Sequence, residues 1–383
     1  MHSFNYKIVI FLMGILLLFN GCLMLISSLV SFFYKDGVTF EITLSSFFVL
    51  SLGALLMLFG RQHEKQIQKR EGYVIVTLGW MMMTISGMLP FIFTNSMVDI
   101  SSTFFETMSG YTATGATILT DIESLPSGIL FWRSMTHWIG GMGIIVLAVA
   151  ILPLLGIGGI QLFSAEAPGP NNDKLHPRIT DTAKRLWLIY VFFTFLEAIL
   201  LSFAGMSIFD AVNHAMSTMA SGGFSTKNNS LAYWNHLPLV HYIIILFMFL
   251  AGTNFVLSYF ALTGKFKKVL DDNEFVTFLA FVIIFSLIVF LVIYNSVDLN
   301  NSFFDFPQVF GKLEGSIRHA LFQVLAVITT TGFVTSDYTA WTPFLTVFFF
   351  GLMFLGGSAG STSGGIKVVR HLLMIKGGIL EFK

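Results

Sequence analysis

The sequence predicts an all-α polytopic membrane protein, built from tandem units of helix, re-entrant loop and helix with two extra helices ahead of them. Three observations carry this. The 383-residue chain is 55% hydrophobic and only 11% charged, against about 25% charged in an ordinary soluble domain. Long runs contain no Asp, Glu, Lys or Arg. Three glycine-centred segments recur in register: Thr112 to Thr117 (TATGAT), Ala220 to Ser225 (ASGGFS) and Thr329 to Val334 (TTTGFV), with Gly115, Gly223 and Gly332 standing 108 and 109 residues apart.

Residues 8–34 and 42–60 are the first two charge-free runs and form an amino-terminal section over 1–70. About 20 apolar residues cross the hydrocarbon core, so each run is a span. Lys7 before an apolar stretch and the pair Gly21, Cys22 resemble a secretory or lipoprotein signal. The apolar run continues to Tyr34, which fits a retained helix better. Cys22 is the single cysteine, which excludes a disulfide framework or a thiolate metal site.

Three repeats follow, over 71–165, 180–264 and 274–383. Their spans are 72–98 and 134–160, then 184–206 and 236–264, then 275–297 and 339–366, for eight in all. Basic residues mark one side of the membrane: Arg61, Lys65, Lys69 and Arg70; Lys174, Arg178, Lys184 and Arg185; Lys265, Lys267 and Lys268; and Lys367, Arg370 and Lys376. By the positive-inside rule these loops and the amino terminus are cytoplasmic, and the three glycine segments lie on the outer side.

Within each repeat, a stretch too short to cross precedes the glycine segment. Thr103 with Glu106, and Ser207 with Asp210, have capping-box spacing, while Ser316 lacks the acidic partner. The unit therefore reads helix, re-entrant half-helix, extended loop, helix. Irregular backbone at membrane depth survives only where it is buried in protein or lines a watery cavity. An extended strand of Thr, Gly and small residues turns carbonyl oxygens toward an axis, and several such strands can replace the water around a monovalent cation. The carboxyl end of the half-helix adds a favourable field.

A fourth feature is the run Gly356 to Gly365, with five Gly and four Ser or Thr in ten residues, which cannot hold a stable helix. It falls near the middle of an apolar stretch longer than one crossing, where a hinge or constriction can move at low cost. Glu106, His214 and Gln323 each stand nine residues before a segment glycine and are expected to hydrogen-bond behind it. Glu197, alone in an apolar span, and Arg318 and His319, placed at the start of the third half-helix, are expected to brace the same region.

These residues resemble the Trk/Ktr/HKT superfamily of potassium transporters, and within it the TrkH branch of bacterial membrane subunits. The matching stretches are Phe104 to Thr117, Trp138 to Gly143, Ser217 to Ser225, Ile328 to Tyr338 and Gly356 to Val368. The resemblance implies that Ala113, Thr114 and Gly115, Ser221, Gly222 and Gly223, and Thr330, Thr331 and Gly332 supply carbonyls to a potassium selectivity filter. It also implies that Gly356, Gly357, Gly360, Ser361, Thr362, Gly364 and Gly365 form an intramembrane gate. Gly115 favours potassium, since serine there accompanies sodium transport in the plant branch. A homodimer in the bacterial inner membrane, docked to a cytosolic nucleotide-binding ring of the TrkA or KtrA kind, is further implied, with K+ as the transported ion, no organic cofactor and no nucleic-acid partner. The family has four repeats; a fourth segment is expected near position 441, beyond Lys383, so this chain carries three and is not expected to conduct selectively by itself.

Two other classes are weaker. Gly356 to Gly360 matches the G-x-S-x-G turn of serine hydrolases, with Ser358 as nucleophile and His137, His214 or His241 as base, but no carboxylate evidently orients a histidine. A broken-helix secondary transporter typically has inverted repeats, whereas these share one orientation. The run Gly360 to Lys367 misses a phosphate-binding loop because Ile366 separates Gly365 from Lys367.

Overall fold

The computed structural model describes residues 4–62, 69–141, 143, 179–297 and 310–381. Two compact units divide the chain, Met1–Leu188 and Ile189–Lys383. Helices make up both, and among the described residues the only bridge of strand type joins Leu355 to Ile366. Among the described residues five helices are long and apolar enough to cross a membrane, six if one sharply bent pair is taken as a single span.

In the first unit, α1 (Tyr6–Tyr34) and α2 (Thr39–Phe59) form a hairpin whose seam is made of glycines. A β-carbon on Gly14 would sit 2.6 Å from Met57 N, and one on Gly60 would sit 2.6 Å from Phe11 N. Small residues let helices approach where water offers no driving force. Asn5 caps α1 by accepting from Ile8 N–H at 3.3 Å. The turn after it is tied to a later helix, Asp36 accepting from Gly128 N–H at 2.7 Å.

The first repeat opens with α3 (Lys69–Gly87) and α4 (Leu89–Phe93), which together are long and apolar enough to cross a membrane. Next comes α5 (Ile100–Tyr111), at 12 residues only about 18 Å long and unable to cross. Its cap corrects the sequence reading. Asp99, not Thr103, is the N-cap and accepts from Ser102 N–H at 2.7 Å, so the helix starts four residues earlier and Glu106 is freed for other partners. The hydroxyl and N–H of Ser102 hold the Asp99 carboxyl below its ordinary value. Tyr111 anchors the other end, donating to Asn20 at 2.7 Å, while Asn20 donates to Ser86 at 2.8 Å. The return helix, α6 (Ser127–Gly141), covers the start of the expected 134–160 span; residues 142 and 144–160 of that span, and Lys174 and Arg178, lie outside the described residues.

In the second repeat, α7 (Ile179–Phe203) leads to α8 (Ile208–Met219), capped by Ser207 as its spacing with Asp210 predicts. The expected unbroken span 236–264 is instead two helices, α9 (Pro238–Gly252) and α10 (Phe255–Leu262), bent by 113°. The chemistry is local: Thr253 is extended, and Asn254 starts a new helix by accepting from Val256 N–H at 2.9 Å.

A short α11 (Phe266–Leu270) precedes the third repeat, which contains α12 (Asn273–Ser296) and α13 (Gly311–Ile328). The second unit's apolar core joins Phe278, Val289 and Ile293 of α12 with Phe322, Leu325 and Ile328 of α13. Because α13 begins at Gly311, Ser316 is no cap, and Arg318 and His319 sit inside the helix rather than at its start. The last expected span, 339–366, is helical only over α14 (Pro343–Leu352); irregular backbone follows until α15 (Val368–Glu381).

Candidate functional site

The three glycine segments share one backbone. Two residues before each glycine, Ala113, Ser221 and Thr330 have φ of 50, 55 and 57°, and Gly115, Gly223 and Gly332 have φ of 74, 82 and 75°. A non-glycine residue in this left-handed region costs about 1–2 kcal/mol. Its appearance at one register position in three repeats shows that the surrounding structure imposes it. The first two half-helices end in the same way: Ala113 N–H donates to Gly110 O (3.0 Å) and Thr114 N–H to Ser109 O (2.9 Å), and Ser221 N–H donates to Thr218 O (2.9 Å) and Gly222 N–H to Ser217 O (2.9 Å). In the third repeat Thr330 N–H donates to Val327 O (3.0 Å), and Gly332 N–H reaches back to Ala326 O (2.9 Å).

Behind each segment lies a buried polar side chain nine residues before the glycine. Glu106 accepts from the Thr117 hydroxyl at 2.9 Å and from Ile118 N–H at 3.1 Å. It also pairs with Arg133 Nε at 2.7 Å, both side chains being almost wholly buried. His214 donates from Nδ1 to the Asp210 carbonyl at 2.8 Å, which leaves Nε2 to accept from the Ser225 hydroxyl at 2.9 Å. Gln323 Nε2 donates to Thr335 Oγ1 at 3.2 Å, and His319 Nδ1 meets the same hydroxyl at 2.9 Å. Three different side chains thus do the same thing, fixing the chain just beyond its glycine.

Within the second unit the two segments touch. A β-carbon on Gly223 would lie 2.0 Å from the Thr331 carbonyl oxygen, so only glycine allows that approach. In the other unit it is the end of the half-helix that comes this close to its return helix: a β-carbon on Gly140 of α6 would lie 1.9 Å from the carbonyl oxygen of Tyr111, the last residue of α5.

The irregular backbone after α14 is a closed loop laid against both segments of its unit. Its neck is fastened by Gly356 N–H to Ile366 O (2.8 Å) and Val368 N–H to Gly357 O (3.1 Å). Its body uses the carbonyls left free at the end of α9, with Ser358 N–H donating to Gly252 O (2.8 Å) and Thr362 N–H to Ala251 O (3.3 Å). Its tip reaches the segments: Thr362 Oγ1 donates to Met219 O (2.9 Å) and lies 2.9 Å from Ser221 Oγ, and Gly364 N–H donates to Thr330 Oγ1 (2.7 Å). Gly360 O accepts from Phe255 N–H (3.2 Å), and Ser361 Oγ donates to Ser358 O (2.6 Å). Gly365 has φ of 69°, and Lys367 Nζ donates to Ser363 O (2.7 Å).

Among the described residues no group of three His, Cys, Asp or Glu side chains could hold a metal ion. The donors gathered here are backbone carbonyls and hydroxyls, which suit a weakly hydrated monovalent cation.

Arg133 and the Gly252–Asn254 break were missed from the sequence. A signal for Arg133 existed: Glu106 at membrane depth requires a cation, and Arg133 stands at the edge of the next apolar run. The run Gly252, Thr253, Asn254 is itself a helix-stop and N-cap signal inside an apolar span. Glu197 is wholly buried, with the Thr218 side chain of α8 as its polar neighbour.

Comparison with known proteins places the chain. The family model described as "TrkH: Cation transport protein" matches residues 38–383. The Escherichia coli (strain K12) Trk system potassium uptake protein TrkH is 42% identical over 382 residues, 99% of this chain and 77% of the relative. The Trk system potassium uptake protein TrkG of the same strain is 35% identical over 382 residues, 98% of this chain and 76% of the relative. The crystal structure of the potassium transporter TrkH from Vibrio parahaemolyticus superposes with a TM-score of 0.84 at 36% identity, covering 99% of this chain and 76% of that one. Transport proteins of this kind are not enzymes, which sets aside the hydrolase reading of Ser358. A multi-pass helical membrane protein with this match along nearly its whole length belongs to the TrkH family of cation transport proteins.

Proposed function

We propose that this chain is the ion-translocating membrane subunit of a potassium uptake system in the bacterial inner membrane, with its amino terminus in the cytoplasm. The carbonyls of Ala113, Thr114 and Gly115, of Ser221, Gly222 and Gly223, and of Thr330, Thr331 and Gly332 contribute three strands to a K+ selectivity filter. Glu106, His214 and Gln323 hold the filter strands from behind. The loop containing Gly356, Gly357, Gly360, Ser361, Thr362, Gly364 and Gly365 is the gate beneath it. The chain works as a homodimer in the lipid bilayer and docks a cytosolic nucleotide-binding ring similar to TrkA or KtrA.

One observation carries this reading: the same pair of left-handed residues, two apart, follows α5, α8 and α13, of 12, 12 and 18 residues, none of which is among the helices long and apolar enough to cross a membrane. Such a kink turns carbonyls off the helix axis and into an extended row at membrane depth, an arrangement for replacing ion hydration. The names of the relatives supply the ion. Rubidium-86 uptake by cells expressing the protein, competed by K+ and not by Na+, tests it. Uptake competed equally by both ions contradicts the filter.

A further inference from the structure

Glu274 lies in the first turn of α12, but it does not serve that helix. The cap of α12 is Asp272, which accepts from Phe275 N–H at 2.8 Å. Glu274 Oε1 instead accepts from Ala359 N–H at 2.7 Å and from Val369 N–H at 3.2 Å. Ala359 belongs to the glycine-rich loop and Val369 to the first turn of α15. A single carboxylate oxygen therefore joins a membrane-spanning helix, the loop and the helix that follows the loop.

The two anchored N–H groups bracket residues 360–368, the part of the loop that holds Thr362 and Gly364 against Met219, Ser221 and Thr330. Charge-assisted bonds to backbone N–H groups are the strong ones. The neck bonds of the loop are made by the loop to itself or to its own flanks, whereas Glu274 reaches it from another element. The contacts with Ala251 and Gly252 leave no comparable charge involved.

We propose that Glu274 is a positioning residue that latches the glycine-rich loop in its seated place below the segments. Its consequence for transport rests on the gate reading given above, and the experiment separates the two. Cys22 is the single cysteine, so Cys22→Ser gives a thiol-free background. Ser358 is almost wholly buried, and Ser358→Cys then reports unseating of the loop through its rate of modification by a methanethiosulfonate reagent. Glu274→Ala is expected to raise that rate about tenfold or more, since two charge-assisted bonds are lost. Glu274→Gln, whose amide oxygen accepts from the same two N–H groups without the charge, is expected to fall between the parental and the alanine rates. Glu274→Asp, one methylene too short to reach both, behaves as the alanine variant and serves if that variant fails to fold.

Parental rates in both Glu274→Ala and Glu274→Asp overturn the latch, as does a Glu274→Gln rate equal to that of Glu274→Ala. Rubidium uptake is measured alongside. Faster labelling with changed uptake supports both latch and gate; faster labelling with unchanged uptake supports the latch and overturns the gate reading.

Discussion

The carbonyl oxygen of Thr331 occupies the place where Gly223 would carry a β-carbon, 2.0 Å from its ideal position. Two segments separated by more than a hundred residues in sequence are thereby locked at backbone contact. Gly332, equivalent to Gly223 in the next repeat, has nothing within 4 Å of its own β-carbon position, although its φ of 75° matches. The two glycines therefore differ in the reason they must be glycine.

Gly223→Ala is expected to cost more than Gly332→Ala. The second pays only left-handed strain, about 1 kcal/mol, while the first must also displace a neighbouring backbone, above about 2 kcal/mol in total. Apparent melting temperatures of the purified protein rank them. Equal losses contradict the packing argument.

The salt bridge between Glu106 and Arg133 is buried on both sides. Removing one partner strands a charge, so Glu106→Gln or Arg133→Met alone is expected to cost about 3–5 kcal/mol, and the two together much less than the sum. A double-mutant cycle on thermal unfolding checks this. Additive losses indicate that the two residues act separately.

Much of this was legible in the sequence for a physical reason. Lipid satisfies no backbone group, so charge-free runs, glycine clusters and buried ionisable residues carry strong constraints, and the threefold spacing of Gly115, Gly223 and Gly332 exposed the repeat. Helix ends were less legible. Asp99 caps α5 although Thr103 and Glu106 have the better motif, because Glu106 is taken by Arg133 and Thr117. The break at Thr253 was hidden because hydropathy averages over it, and the partner that rewards the break, the glycine-rich loop, lies more than a hundred residues away. Long-range hydrogen bonds such as those of Glu274 leave no local trace.

Loop glycines and an exposed helix glycine part company on substitution. A β-carbon on Gly357 would meet Ser363 Oγ at 2.4 Å and Gly252 O at 2.5 Å, whereas Gly351 in α14 has open space. Gly351→Ala is expected to stabilise by about 0.5–1 kcal/mol, and Gly357→Ala to unseat the loop. Protease or thiol accessibility of residues 356–365 distinguishes the two, and an unchanged loop in Gly357→Ala contradicts the seating described here.

Gly115→Ser tests selectivity directly. A serine at φ of 74° is strained and brings a hydroxyl to the first segment, so the ratio of K+ to Na+ competition against rubidium uptake is expected to fall. An unchanged ratio removes Gly115 from the filter.

The central claim is that main-chain oxygens of equivalent segments bind a dehydrated monovalent cation. Anomalous diffraction from crystals soaked in thallium(I), a K+ surrogate, measures this most directly. The account predicts a peak surrounded by the carbonyls of Ala113 and Thr114, Ser221 and Gly222, and Thr330 and Thr331. Thallium found only at carboxylates or hydroxyls elsewhere, with none at these oxygens, contradicts it.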